Sequence, residues 1–195
     1  MYERALIVLA HPAPQSLSRQ FADKVRNVLA AKGAEVSLID LYASDFAPAM
    51  TETERAAYYG ETPDISAIAE HAALLTAAST LVLIFPTWWF GLPAILKGWL
   101  DRVFAPGIAF DHADNFGPIK PRLTNLKRVV IITTLGSPAW IDWFIMRRPV
   151  RRILKVAVFG LCAPHAKFQM LSLYGAENIE AARLERFKTQ VAAAF

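Results

Sequence analysis

The stretch TLVLIFPTWWFGLP (residues 80–93) runs from continuous apolar sequence into a loop of aromatics bracketed by prolines, and its reading decides the fold. Residues 80–85 have the length and unbroken hydrophobicity of a strand covered on both faces, as in a parallel sheet, and Pro86 ends it. Pro93 is a favoured first helical residue. Ile95, Leu96, Trp99, Leu100, Val103 and Phe104 then recur as one helical stripe, until Pro106-Gly107 breaks it.

The same alternation continues in both directions. Towards the amino end, residues 5–10 (ALIVLA) form a first strand, and residues 35–41 (EVSLIDL) alternate as a second. Between them, Ser16 and Ser18 offer helix N-caps, Leu17, Phe21, Val25, Val28 and Leu29 recur at helical spacing, and Gly33 closes the helix. Residues 42–64 read as a polar loop with a short helix, and residues 65–78 as a helix. Towards the carboxyl end, residues 108–127 are long and irregular, and residues 128–134 (RVVIITT) are strand four. Residues 137–161 hold a loop and a helix broken at Pro149, and residues 167–173 (KFQMLSL) are strand five. A last helix over 178–195 carries Leu184, Phe187 and Val191 on one face. Five strands with intervening helices predict one α/β domain over residues 1–195, a three-layer sandwich around a five-stranded parallel sheet.

Composition narrows the class. A 54% hydrophobic, 19% charged chain is globular rather than disordered. Its mean hydropathy of +0.29 is high, yet no apolar run approaches the ~20 residues of a membrane span. The excess predicts doubly covered strands plus a subunit interface. Met1-Tyr-Glu-Arg leads straight into a strand, so no signal peptide is expected. The lone cysteine, Cys162, allows no internal disulfide and fits a reducing, cytoplasmic setting as a small buried hydrophobe. The net charge of +4 is mild and concentrated in Arg147, Arg148, Arg151, Arg152 and Lys155. That run lacks an accompanying nucleic-acid motif and reads as a solvated helix face or an anionic-cofactor site. His11, His71, His112 and His165 have no metal-ligand spacing, so no metal is expected.

Ligands of open parallel sheets bind at the carboxyl ends of the strands, near the point where strand order reverses. Three loops should meet there. His11-Pro-Ala-Pro-Gln-Ser-Leu-Ser18 contains no glycine and is no Walker loop, but Ser16, Ser18 and the free N–H groups of a first helical turn suit an anion. Simple capping is the preferred reading of this loop alone. Trp88, Trp89 and Phe90 are hard to bury together, and a flat aromatic ligand would give them a partner. Core-plus-interface packing is the alternative. Thr133-Thr-Leu-Gly-Ser137 offers hydroxyls and a glycine that permits close backbone approach, or is an ordinary turn.

Residues 85–104 (FPTWWFGLPAILKGWLDRVF), with Ala10-His-Pro, Ser16, Ser18 and Ile132-Thr-Thr, carry a resemblance over nearly the whole chain. The sequence resembles the NAD(P)H:quinone oxidoreductase family of flavodoxin-like proteins, which includes ancillary flavoproteins of glutathione-gated potassium efflux systems. The resemblance implies a flavodoxin-like fold and the following roles. His11, Ser16, Leu17 and Ser18 would hold the flavin's phosphate region. Pro86, Thr87, Trp88, Trp89 and Phe90 would flank the isoalloxazine, with backbone N–H groups near N5 and O4; Thr133, Thr134, Leu135 and Gly136 would lie by its pyrimidine edge. Residues 107–112 (GIAFDH) resemble a loop that reaches the other subunit's site, so Phe110 and His112 would roof the partner's flavin in a homodimer.

Two departures stand out: Thr-Thr-Leu-Gly replaces the frequent Thr-Thr-Gly-Gly, and Trp140 takes the place of a tyrosine, with no histidine following. The chain lacks the carboxyl-terminal extension of the larger FAD-binding members, which favours FMN over FAD. NADPH or NADH would deliver hydride, and a quinone-like acceptor would take it from the same face in a ping-pong scheme. His112 is the candidate proton donor and Trp140 a second catalytic candidate. The rival is a regulatory flavoprotein subunit docked on a membrane potassium efflux transporter, with the basic run at 147–155 as a docking or anionic-lipid patch. A one-electron carrier is disfavoured by the pI of about 9.3.

Overall fold

The computed structural model describes residues 3–58, 65–112 and 117–195. The loop expected over 42–64 and the irregular stretch over 108–127 lie partly outside them. The strands are β1 (Arg4–Leu9), β2 (Glu35–Asp40), β3 (Thr80–Pro86), β4 (Phe110–Asp111), β5 (Lys120–Pro121), β6 (Arg128–Leu135) and β7 (Lys167–Tyr174). Five of them form one parallel sheet in the order β2-β1-β3-β6-β7, while β4 and β5 make a small antiparallel ribbon. The helices are α1 (Leu17–Ala31), α2 (Glu52–Ala57), α3 (Ala69–Ala77), α4 (Ala94–Val103), α5 (Pro149–Arg152), α6 (Phe159–Cys162) and α7 (Ala181–Ala193). No helix among the described residues is long and apolar enough to cross a membrane.

Side chains alternate along a strand, and that period separates two cores. Leu81, Leu83 and Phe85 share one core with Leu75 of α3 and with Leu96 and Trp99 of α4. Val82 and Ile84 share the other with Phe21 and Val25 of α1 and Phe187 and Val191 of α7. Every residue of β3 is buried, which is why its sequence is apolar without interruption.

Helix α4 explains much of the motif in residues 85–104. Lys97 and Asp101 form an exposed i,i+4 ion pair at 2.6 Å. A side chain on Gly98 would collide with Pro48, since a Cβ there would sit 2.1 Å from the Pro48 carbonyl oxygen. Arg102 is 7% exposed, and its guanidinium donates to Glu54 from Nε at 2.9 Å and from Nη2 at 2.5 Å. It also donates to the Ala47 carbonyl and stacks 5.2 Å over the Phe46 ring. Burial raises the Glu54 pKa, but the bonds from Arg102 and Thr51 outweigh it and leave the carboxyl below its ordinary value.

The single helix expected within 137–161 is replaced by short pieces. A π-helical turn at Ile141–Ile145 is followed by Arg147 and Arg148 at φ of 56° and 52°, then α5, a second π-helical turn at Ile153–Val158, and α6. Trp143, Phe144, Ile145 and Val156 point outward, so no continuous apolar face anchors a regular helix to the core. Pro149, at the first position of α5, marks the break.

Candidate active site

Strand order reverses between β1 and β3, and the loops after β1, β3 and β6 come together at the carboxyl edge of the sheet. The β3 loop is a tight turn. Trp88 and Gly91 exchange backbone hydrogen bonds at 3.2 and 2.8 Å, with Trp89 and Phe90 between them at φ of 50° and 54°. Left-handed backbone costs a bulky residue about 1–2 kcal/mol, and two in succession are held only where the surroundings fix them. Here Thr87 does so. Its N–H donates to the Thr134 carbonyl at 2.8 Å, and its hydroxyl lies 2.8 Å from that of buried Thr133. The turn thereby presents the Trp89 ring fully to solvent, and among the described residues the Trp89 and Phe90 N–H groups meet no acceptor.

A cavity of ≈ 350 Å³ opens against this turn, lined by Thr87, Trp88, Trp89, Phe90, Leu135, Gly136, Ser137 and Glu177. A Cβ at Gly136 would come within 2.6 Å of Glu177 Oε1, so a side chain there would push the Glu177 carboxylate aside. Among the described residues the buried Ser137 hydroxyl has no hydrogen-bond partner. His11 adjoins this site through Trp88, with ring centroids 6.4 Å apart. Burial lowers the His11 pKa, and its Nδ1 accepts the Ala13 N–H at 2.9 Å. The ring is then the Nε2–H tautomer, a donor rather than a cation. At the start of α1, Ser16 caps the helix by accepting from the Arg19 N–H at 3.2 Å, whereas the buried Ser18 hydroxyl has no partner among the described residues.

The structure thus gathers Thr87, Trp88, Trp89, Phe90, Leu135 and Gly136 on one cavity, with His11 beside it. Pro86 pairs with Thr134 in the β3–β6 register behind it. Ser16, Leu17 and Ser18 sit at the N-terminus of α1 and do not line it. Phe110 and His112 are not part of this lining either; their rings, 5.4 Å apart, cluster with Tyr58 at 6.4 and 6.0 Å. Tyr58 and Phe110 border a separate groove of ≈ 590 Å³ along α4. Trp140 is 57% exposed and lines neither space.

Sequence reasoning had no role for Glu177 and Tyr58. Glu177 follows Gly175, whose φ of 60° redirects the chain after β7, and the same carboxyl-edge rule applied to Tyr174-Gly175 would have found it. Tyr58 had no comparable signal.

The free donors, the buried orphan hydroxyls and the flat aromatic wall fit a planar aromatic group that carries an anionic tail. This strand order, with its site at the reversal, defines the doubly wound class of flavodoxin type. A profile of the flavodoxin-like fold family matches residues 3–194, and the chain belongs to that family.

The chain is similar to NAD(P)H dehydrogenase [quinone] 1 of Cavia porcellus, 36% identical over 152 residues, covering 69% of this chain and 54% of the relative. It spans about half the length of the curated relatives it matches. The structure of Smu.1420 from Streptococcus mutans superposes with a TM-score of 0.85 at 29% identity, covering 98% of this chain and 97% of that one. An FMN-dependent NADH-azoreductase from Bacillus anthracis, in complex with FMN, shares the fold with a TM-score of 0.77 at 20% identity, covering 98% and 97%.

Proposed function

We propose that the chain is an NAD(P)H oxidoreductase that binds FMN in the cavity at the β3 turn and reduces quinones or similar acceptors. The observation that carries this reading is the pair of N–H groups at Trp89 and Phe90, unengaged among the described residues and held by a strained turn at the wall of the cavity. When bound, the flavin supplies two-electron hydride chemistry between NAD(P)H and the acceptor. The names of the relatives, a quinone dehydrogenase and an FMN-dependent azoreductase, support the same class.

The residues of the chain bind, orient and tune. The first turn of α1, with Ser16 and Ser18, would receive the phosphate, the buried Ser18 hydroxyl turning toward it to donate. Trp89 and Phe90 N–H groups hold one edge of the ring system. Leu135 and Gly136 on the cavity wall, with Thr134 before them in β6, would hold the pyrimidine edge, where donors would stabilise the negative charge that develops on reduction. The exposed face takes donor and acceptor in turn, a ping-pong order. Purified protein reconstituted with FMN, then assayed for NADH and NADPH oxidation with a quinone, tests this; stoichiometric flavin release identified by mass is expected, and failure to bind any flavin removes the proposal.

Trp89→Ala should weaken FMN retention by about 1–3 kcal/mol, roughly 5- to 150-fold, because a large aromatic contact is lost. Equilibrium dialysis of FMN checks it, and an unchanged Kd would take Trp89 out of the site.

The second subunit enters through the ≈ 590 Å³ groove bordered by Tyr58, Phe104 and Phe110. In a symmetric homodimer the partner covers this apolar face, and each Phe110 and His112 pair roofs the other's cavity. His112→Ala should leave FMN bound. If His112 protonates the acceptor, the oxidative half-reaction should slow on the order of 10²-fold. A smaller change confined to apparent acceptor affinity would make it a wall of the pocket. Stopped-flow measurement of both half-reactions separates these, and no change in either dismisses His112 from the site. A sedimenting monomer with full activity would dismiss the dimer.

A further inference from the structure

The carboxyl end of β7 brings one charged side chain to the cavity at the aromatic turn. Of the residues that line it, Glu177 alone carries a charge. Gly175, at φ of 60°, redirects the chain, and its N–H donates to the Ser137 carbonyl at 3.2 Å. Arg183 Nη2 donates to the Tyr174 carbonyl at 2.7 Å and ties the same bend to α7. The 3-10 turn Ala176–Asn178 then lays Glu177 against the loop after β6. Its Oε1, Cδ and Cγ lie 2.6, 3.0 and 3.5 Å from the point that a Gly136 Cβ would occupy, so the carboxylate rests on bare backbone.

Nothing neutralises this charge. Among the described residues Glu177 enters no salt bridge. Nor does it belong to a metal set, since no three His, Cys, Asp or Glu side chains among the described residues are grouped to hold an ion. The bend is already held by the bonds at Gly175 and Tyr174, to which the Glu177 side chain adds none. A lone carboxylate on the wall of a redox cavity still has a physical effect. It acts through its field on any group there whose charge changes.

We propose that Glu177 keeps the bound flavin at a low reduction potential. The inference rests on the FMN reading and deepens it. Hydride leaves NAD(P)H with two electrons and one proton; the nicotinamide departs as a cation and the flavin ring gains one unit of negative charge. The Glu177 carboxylate repels that charge and so disfavours the reduced ring relative to the oxidised one. N–H donors at the turn and at the β6 loop act in the opposite direction, and the potential is the balance of the two. A lower potential makes the reduced flavin the stronger donor, which favours onward transfer of hydride to the acceptor. Glu177 is exposed, so water and salt weaken its field without removing it.

The test reconstitutes wild type, Glu177→Gln and Glu177→Lys with FMN and measures each two-electron midpoint potential against reference dyes, in about 0.1 and about 1 M NaCl. Glu177→Gln keeps the shape and removes the charge. It should strengthen binding of reduced relative to oxidised FMN on the order of tenfold, a rise in midpoint of about 30 mV. Glu177→Lys inverts the charge and should move the midpoint the same way about twice as far. Both shifts should shrink in the higher salt, as a field does and a lost contact does not. The flavin-free Glu177→Gln protein should melt at the wild-type temperature; a clear loss would make the residue a structural one and overturn the proposal. An unchanged midpoint in Glu177→Gln, equal shifts in the two variants, or shifts indifferent to salt overturn it and leave the FMN reading standing. Wild-type protein that takes up no FMN overturns both.

Discussion

Arg102→Met should lower stability by about 3–5 kcal/mol, the usual cost of removing one partner from a buried ion pair. The methionine fills comparable volume, but Glu54 is left as an unpaired carboxylate and the Ala47 carbonyl loses its donor. For a domain of this size the melting temperature should fall by roughly 6–20 °C. The double change Arg102→Met with Glu54→Leu should recover most of the loss, since an apolar pair of similar size is often as stable as the ion pair. The pH dependence follows from the lowered Glu54 pKa. A depressed carboxyl contributes stability above its unfolded pKa and loses it as pH falls through the folded value, so the wild-type advantage should begin to shrink below the ordinary glutamate pKa of about 4.3 and vanish once the folded carboxyl is protonated. Denaturation curves for the three proteins at neutral and acidic pH decide this. An Arg102→Met protein as stable as wild type would show that the pair contributes nothing.

Ser16→Asp should abolish flavin binding while preserving the fold. Aspartate caps a helix as well as serine, so the bond that the Ser16 side chain accepts from the Arg19 N–H can be replaced. Its carboxylate would, however, stand where the proposed phosphate must sit. Unit charges ~4 Å apart at an effective dielectric constant of about 20 repel by about 4 kcal/mol, roughly a thousandfold in affinity. The purified variant should be colourless, with an unchanged circular dichroism spectrum and melting temperature measured without cofactor. Ser18→Ala is the milder companion. It removes a buried hydroxyl that lacks a partner and should cost FMN affinity without harming the free protein. Retention of stoichiometric flavin by Ser16→Asp would move the phosphate elsewhere.

Elements buried on both faces were the ones legible in the sequence. Residues 80–85 read as a strand and the structure extends it only to Pro86; residues 128–134 and 167–173 extend only to Leu135 and Tyr174. In β3 and β6, covered on both faces, the core dictates residue type; the edge strand β7 is only partly covered, with Leu173 its one buried residue. Helix α1 was legible for the same reason, with Phe21, Val25 and Leu29 buried and Gly33 at φ 81° beyond its end. Residues 137–161 were not, because periodicity assumes that apolar residues face inward, and Phe144, Ile145 and Val156 face out. At the candidate site, the aromatic turn could be recognised from three adjacent rings. Its left-handed backbone, and the engagement of the Thr87 N–H by Thr134, depend on pairing across strands and left no local trace. Glu177 above Gly136 is a contact of the same kind.

Cys162, 5% exposed at the end of α6, has its thiol pushed up to about 11 by burial. At neutral pH fewer than about one molecule in a thousand carries the thiolate, the form that reacts with alkylating and oxidising agents. In the closed molecule the group is therefore nearly inert, and what a thiol reagent measures is how often Cys162 becomes exposed, through the ≈ 590 Å³ groove it borders or by α6 lifting from its neighbours. Since the chain has no other cysteine, the rate of labelling reports one opening event without any engineered probe. The native sequence carries its own gauge of local unfolding on the face where Phe104 and Phe159 pack, their rings 5.7 Å apart.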